Sequence, residues 1–159
     1  MALHKTAEHA RQSDKELKAL ISAWGLDWSY IEGQNLGSCG DIIKSDGTVV
    51  EVKTDKAAAK YGNLFIEFKS TKKDMTGITH AAELNQHILF IVPLADEYQL
   101  FYHENPKALL DYCITSKCKI KPTAIGKNGN HGDYQTFGYI LPIKHAAEAG
   151  FELSVKAKA

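Results

Sequence analysis

Apolar positions in the first part of the chain recur with the period of a helix. Four apolar residues in the window 6–24 fall on one helical face, and Gly25 follows directly as a helix stop. The residues of this face are Leu17, Leu20, Ile21 and Trp24. The pattern predicts an amphipathic helix over 6–24.

Beyond this helix the pattern changes to short β-rich runs separated by glycine and polar turns. These runs predict strands at 27–31, 42–43, 49–52, 63–68, 87–92, 98–102 and 134–141. Further helical segments are predicted at 54–62, 79–86 and 105–113, the last with Asn105 as its N-cap and Pro106 at its first position. Residues 33–40 have the composition of a loop, and after Gly150 we expect a disordered tail. This order predicts one α+β (mixed α/β) domain over 1–159, a central mixed β-sheet flanked by helices.

The segment 40–53 predicts a β-hairpin with charged residues on one face. A three-residue Ser-Asp-Gly loop with Gly47 in a left-handed conformation places Asp41 directly opposite Glu51. A two-residue loop would turn Asp41 to the other face. Lys53 follows Glu51 by two positions on the same strand, so their side chains share a face. The three-residue register therefore brings two acids and a lysine together.

Composition narrows the classes of protein that the chain can represent. The 159 residues are 44% hydrophobic and 24% charged with a formal net charge of zero, which is typical of a globular domain and not of a strongly basic nucleic-acid-binding protein. Lysines are nevertheless concentrated in two groups, whereas Lys44 and Asp46 are expected to be surface charges beside the turn. The groups are Lys53, Lys56, Lys60, Lys69, Lys72 and Lys73, and then Lys117, Lys119 and Lys121.

The three cysteines, Cys39, Cys113 and Cys118, have no paired spacing, which argues against a disulfide framework. A zinc site from Cys113, Cys118 and a histidine would have a spacing that matches no common zinc motif. The sequence has no run of 18 apolar residues and no signal-peptide core. We therefore expect a protein of the reducing cytoplasm without a membrane partner.

An acid on one strand, and an acid with a lysine on the next, can hold Mg²⁺ and a water beside a phosphodiester. This arrangement resembles the active-site motif of the PD-(D/E)XK nuclease superfamily, which implies a restriction-endonuclease-like core. The stretches 61–68 and 76–79 resemble a continuation found in phage-type members, in which a Gly-Asn-aromatic-aliphatic-Glu strand precedes a Gly-Ile-Ser/Thr turn that opens a helix. The core would span about 6–92, with a C-terminal elaboration at about 93–150.

The resemblance implies a catalytic trio and a metal site. Asp41 and Glu51 would supply carboxylate ligands to Mg²⁺, for which Mn²⁺ substitutes, and the Val52 backbone carbonyl would supply a third ligand. Lys53 would orient the attacking water and stabilise the developing negative charge. Three further acids are candidates for completing the site: Glu67, Asp14 and Glu16.

The expected activity is hydrolysis of DNA phosphodiester bonds by a Mg²⁺-dependent deoxyribonuclease, in the cytoplasm or, for a phage-encoded enzyme, in the host cytoplasm. Exonuclease, restriction-like endonuclease and Holliday-junction resolvase all stay open. A resolvase would act as a homodimer, because two strands must be cut symmetrically. The alternative is a catalytically silent nucleic-acid-binding or interaction module on a nuclease fold.

Overall fold

Nine strands form two sheets in the part of the chain that the structure describes. The computed structural model describes residues 18–24, 27–30, 42–71, 76–123, 126–128 and 132–158. Within these ranges a six-stranded mixed sheet and a three-stranded sheet are joined by short helices and a small two-stranded ribbon. The α+β class predicted from the sequence is confirmed.

The elements alternate between the two sheets along the chain. In order they are α1 (18–23), β1 (Trp28–Tyr30), β2 (Ile42–Lys44), β3 (Val49–Thr54), α2 (Lys56–Tyr61), β4 (Asn63–Ser70), α3 (Ile78–Glu83), β5 (His87–Pro93), β6 (Glu97–His103), α4 (Pro106–Thr115), β7 (Lys119–Pro122), β8 (Gly126–Asn128), β9 (Gly132–Tyr134), β10 (Thr136–Pro142), a 3₁₀ turn (Ile143–His145) and β11 (Glu152–Ala157). The start of the predicted first helix, its stop at Gly25 and the loop at 33–40 lie outside the described residues.

The large sheet has the strand order β1-β2-β3-β5-β6-β11. The first three strands form an antiparallel meander, and β5 then lies parallel to β3. Parallel neighbours need a crossover connection, which here consists of α2, β4 and α3. Strands β6 and β11 extend the sheet in antiparallel pairs.

The β2–β3 hairpin has the three-residue loop predicted from its sequence. Ile43 pairs with Val49, and the backbone N–H of Lys44 donates to the Thr48 carbonyl at 2.8 Å, which leaves three residues in the loop. Gly47 has φ +90°, a conformation that glycine adopts at little cost. The register of the hairpin is therefore confirmed for its described residues.

The second sheet has the order β4-β10-β7. Strand β4 lies outside the large sheet and pairs antiparallel with β10 between Asn63 and Ser70. The two faces of the large sheet consequently carry separate cores. A small core lies on the side of α1 and includes Ile21, Val50, Val52 and Leu89. A large core fills the other side and includes Leu64, Ile66, Phe90, Phe101, Leu109 and Leu141.

The expectation of a disordered tail after Gly150 is wrong. Residues 152–157 form β11, which pairs with β6 over six consecutive positions. The side chain of Phe151 is buried and makes edge-to-face contacts with Phe90, Phe101 and His103, so the residue just before the strand anchors it to the core. No helix among the described residues combines the length and the apolar character needed to cross a membrane.

Candidate functional site

Strand β3 presents its two charged side chains away from the small core. Glu51 and Lys53 alternate with the buried Val50 and Val52, and Glu51 pairs with Ile88 of the large-core face. Lys53 Nζ lies 3.6 Å from Glu51 Oε1, and the Glu51 side chain is only 16% exposed. The predicted acid–lysine pair is therefore formed, with its carboxylate recessed below the surface.

Glu51 and Lys53 open into a cleft of about 1000 Å³. The cleft lies between the large sheet, α2 and the outer face of the three-stranded sheet. Its lining residues include Glu51, Lys53, Lys56, Tyr61, Phe65, Glu67, Gly77, Lys119 and Lys121. The site is thus built from both sheets and from both halves of the chain.

Glu67 reaches this cleft from β4. The alternation along β4 buries Leu64 and Ile66 in the large core, so Phe65 and Glu67 lie on the opposite face of the strand. The Phe65 ring lies against Gly138 of β10, where a Cβ atom would be 2.5 Å from the ring. Glu67 therefore lines the cleft, together with Glu51 and Asp55.

The Gly-Ile-Thr turn that opens α3 packs directly on β4. Thr79 Oγ1 donates to the Phe68 carbonyl at 2.9 Å and accepts from the Thr76 N–H at 3.1 Å. Gly77 has φ +54°, and a Cβ atom there would be 2.2 Å from the Glu67 carbonyl oxygen. The close approach explains why this position requires glycine.

Asp55 connects the two sheets at the mouth of the cleft. One carboxylate oxygen caps α2 by accepting from the Ala58 N–H at 3.0 Å, and the other accepts from the Phe65 N–H at 3.0 Å. Its own N–H donates to the Ile91 carbonyl. A single residue thereby fixes β4 relative to β3 and β5, and sequence reasoning did not identify it because its partner Phe65 is ten positions away.

The predicted lysine cluster is confirmed in part. Lys53 and Lys56 line the cleft. Tyr61 also lines it, and Lys60 Nζ lies 5.2 Å from the centroid of the Tyr61 ring. Lys69 is exposed on β4 but does not line the cleft, and two more predicted members, Lys72 and Lys73, lie outside the described residues. Lys119 and Lys121 of β7 also line the cleft, which their positions in the sequence did not indicate.

Several predicted site residues lie outside the described part of the chain: Asp41, Asp14 and Glu16. The Val52 side chain is buried in the small core, and its backbone lies in the sheet opposite Leu89. No three His, Cys, Asp or Glu residues within the described ranges are grouped closely enough to hold a metal ion.

Lys44 is not simply a surface charge beside the turn, which corrects the sequence expectation. Its Nζ donates to the Tyr102 hydroxyl at 3.2 Å, and that hydroxyl also bonds His87 Nδ1. The hydrogen bond to Tyr102 raises the pKa of Lys44, while burial lowers the pKa of His87. This trio lies on the small-core face of the large sheet, opposite to the cleft. Asp46 is exposed at the turn, as expected.

The cysteines give no zinc site among the described residues. Cys113 is buried, and burial together with the neighbouring Cys118 raises the pKa of its thiol to about 12.

Comparison with protein-family models, with curated proteins and with solved structures gave no match for this chain.

Proposed function

We propose that this chain is a Mg²⁺-dependent DNA nuclease of the PD-(D/E)XK type, with a restriction-endonuclease-like core formed by α1, β1 to β3 and β5. The observation that carries the proposal is the Glu51–Lys53 pair, held 3.6 Å apart in a cleft that Glu67 and flanking lysines also line. The order of α1, the antiparallel meander β1 to β3, α3 and β5 supports it, because the PD-(D/E)XK core has a similar order: a helix, a meander of three strands, a helix and a further strand.

The donors in the cleft suit Mg²⁺. The described residues that line it include the carboxylates of Glu51, Asp55 and Glu67 and no histidine or cysteine, and hard oxygen donors are the ligands that Mg²⁺ prefers. Both oxygens of Asp55 already accept backbone hydrogen bonds, which leaves Glu51 and Glu67 as candidate ligands. The hairpin register, continued by one position past the Ile42–Val50 pair, would put Asp41 opposite Glu51. Asp41, Glu51 and the Val52 carbonyl would then hold the ion, with Glu67 as an additional ligand.

A bound Mg²⁺ would polarise the scissile phosphate and lower the pKa of a water. Lys53, beside the Glu51 carboxylate, places a positive charge where the phosphate gains negative charge as water adds to phosphorus and the P–O bond breaks. The lysines of α2 and β7 would hold the flanking phosphates.

The test is a cleavage panel. Linear, circular, single-stranded and branched DNA are incubated with the protein and Mg²⁺, Mn²⁺ or EDTA. We expect cleavage with either metal, none with EDTA, and a loss of at least a hundredfold in Glu51→Gln, whereas the exposed Glu83→Gln on α3 keeps wild-type activity. Binding without metal-dependent cleavage would instead establish the silent binding module.

A further inference from the structure

The aromatic side chain of Tyr61 belongs to neither hydrophobic core. Tyr61 is the last residue of α2, where Gly62 at φ +72° ends the helix, and its side chain is 66% exposed. A single exposed aromatic residue is common on protein surfaces. This one, however, lines the cleft that holds Glu51, with the ammonium group of Lys60 over its ring.

Lysines lie on two walls of the same cleft. Lys56 reaches the cleft from α2, and Lys119 and Lys121 reach it from β7. The two β7 lysines are two positions apart on a strand, so they share a face at a separation of about 7 Å. Such a pair can contact successive phosphates of one extended strand, while a base stacks on an aromatic ring nearby.

Only an unpaired strand has a base free to stack on Tyr61. The paired bases of a duplex bury their faces in the stack, whereas an unpaired base exposes its faces to an aromatic ring. Tyr61 lines the same cleft of about 1000 Å³ as Glu51.

We propose that the cleft takes a single-stranded stretch of nucleic acid, with one base stacked on Tyr61 and the adjacent phosphates on Lys56, Lys119 and Lys121. The inference rests on the proposed function for the choice of DNA as the ligand. It adds that a phosphate reaches Glu51 only from an unpaired strand, such as a frayed end, a flap or the arm of a branch.

Binding measured in EDTA tests this independently of cleavage. The probes are a fluorescein-labelled 12-residue oligothymidylate and a blunt hairpin duplex of similar length, followed by fluorescence anisotropy. We expect the wild type to bind the single strand at least tenfold more tightly than the duplex. Tyr61→Ala should weaken single-strand binding about tenfold, and Tyr61→Trp should retain it. Ile114→Ala removes another exposed large apolar side chain, from α4 and outside the cleft, and should change neither affinity.

Photocrosslinking of the wild type to an oligonucleotide that contains 5-iododeoxyuridine locates the contact without any variant. The expected crosslinked peptide contains Tyr61. Equal affinity for duplex and single strand, unchanged binding in Tyr61→Ala, or crosslinks that map only outside the cleft would each overturn the inference. A protein that binds single strands through Tyr61 but cleaves no DNA would refute the proposed nuclease activity and leave this inference standing.

Discussion

Gly77 lies directly against the backbone carbonyl of Glu67, so that a Cβ atom on Gly77 would stand 2.2 Å from that oxygen. The contact joins the turn that opens α3 to the strand that carries Glu67 into the cleft. Two sequence stretches that follow the hairpin, 61–68 with its Glu67 and the Gly-Ile-Thr turn at 76–79, therefore pack against each other. A side chain at position 77 would therefore displace the backbone of Glu67.

We expect Gly77→Ala to destabilise the protein by about 2–5 kcal/mol, since strain at positive φ adds to a clash with backbone that cannot rotate away. Gly47→Ala is the matched control, because Gly47 also has positive φ but a Cβ atom there would meet nothing within 4 Å. It should lose only about 1–2 kcal/mol. Urea denaturation measures both, and equal losses would contradict the packing described for Gly77.

Divalent metal should stabilise the protein through Glu51 and Asp41. Joint ionisation of neighbouring carboxylates is unfavourable, and a bound cation reverses this. At a hundredfold excess over Kd, Mn²⁺ should add about 2.7 kcal/mol, or roughly 5–10 °C in Tm. Thermal melts with and without Mn²⁺ provide the measurement. The shift should vanish in Glu51→Gln and in Asp41→Asn and persist in Glu83→Gln; a shift of the same size in all four proteins would place the metal elsewhere.

The phosphate contacts proposed for β7 predict a local effect of salt. Lys119 and Lys121 line the cleft, whereas Lys156 and Lys158 lie at the far edge of the large sheet on or next to β11. We expect Lys119→Ala and Lys121→Ala each to reduce the slope of log affinity against log salt by about 1. The matched Lys156→Ala and Lys158→Ala variants should leave the slope unchanged. A larger effect at β11 would move the nucleic-acid surface to that edge.

His103 should make the protein sensitive to acid. Its buried ring donates from Nε2 to the Ala149 carbonyl at 2.8 Å and accepts at Nδ1 from the Asn105 N–H at 3.0 Å. Protonation of Nδ1 would break the second bond, and burial lowers the pKa of His103 below its ordinary value of 6.5.

Below pH 6.5 the unfolded chain therefore binds the proton that folded His103 resists, and stability falls as the pH falls through that range. Chemical denaturation between pH 5 and pH 8 measures the slope, which should be shallower in His103→Gln. Nitrogen-detected NMR should show the Nε2–H tautomer. A His103 resonance that titrates at or above pH 6.5 would refute the assignment.

The sequence correctly predicted those elements whose signals, such as a turn or a helix cap, lie within a few residues of one another. The Ser-Asp-Gly turn and the alternation of Val50, Glu51, Val52 and Lys53 set the register of the hairpin, and the Asn105–Pro106 pair set the start of α4. Asn105 Oδ1 accepts from the Ala108 N–H as an N-cap should. The acid–lysine half of the site was predictable for the same reason, because both residues lie on one strand.

Elements held by distant partners were not predictable in this way. Strand β7 is exposed at all four positions and depends on pairing with β10, so its sequence has no buried face to detect. Strand β11 exposes Leu153 and Val155, and only Phe151, just before it, enters the core. Lys119 and Lys121 therefore reach the cleft through pairings that no local pattern encodes.

The two walls of the cleft should differ in how fast their amide protons exchange with solvent. Five consecutive residues of β5 are buried, and the strand lies between β3 and β6 with a core on each face. Its amides, and those of β3 that bond to it, should exchange only on global unfolding, whereas β7 at the end of the small sheet should exchange through local opening. Glu51 and Lys53 thus belong to the slowest-exchanging part of the protein and the β7 lysines to a fast-exchanging one. In the proposed nuclease, the groups that act on the scissile phosphate would thus lie in the more stable wall and the groups that contact flanking phosphates in the less stable one.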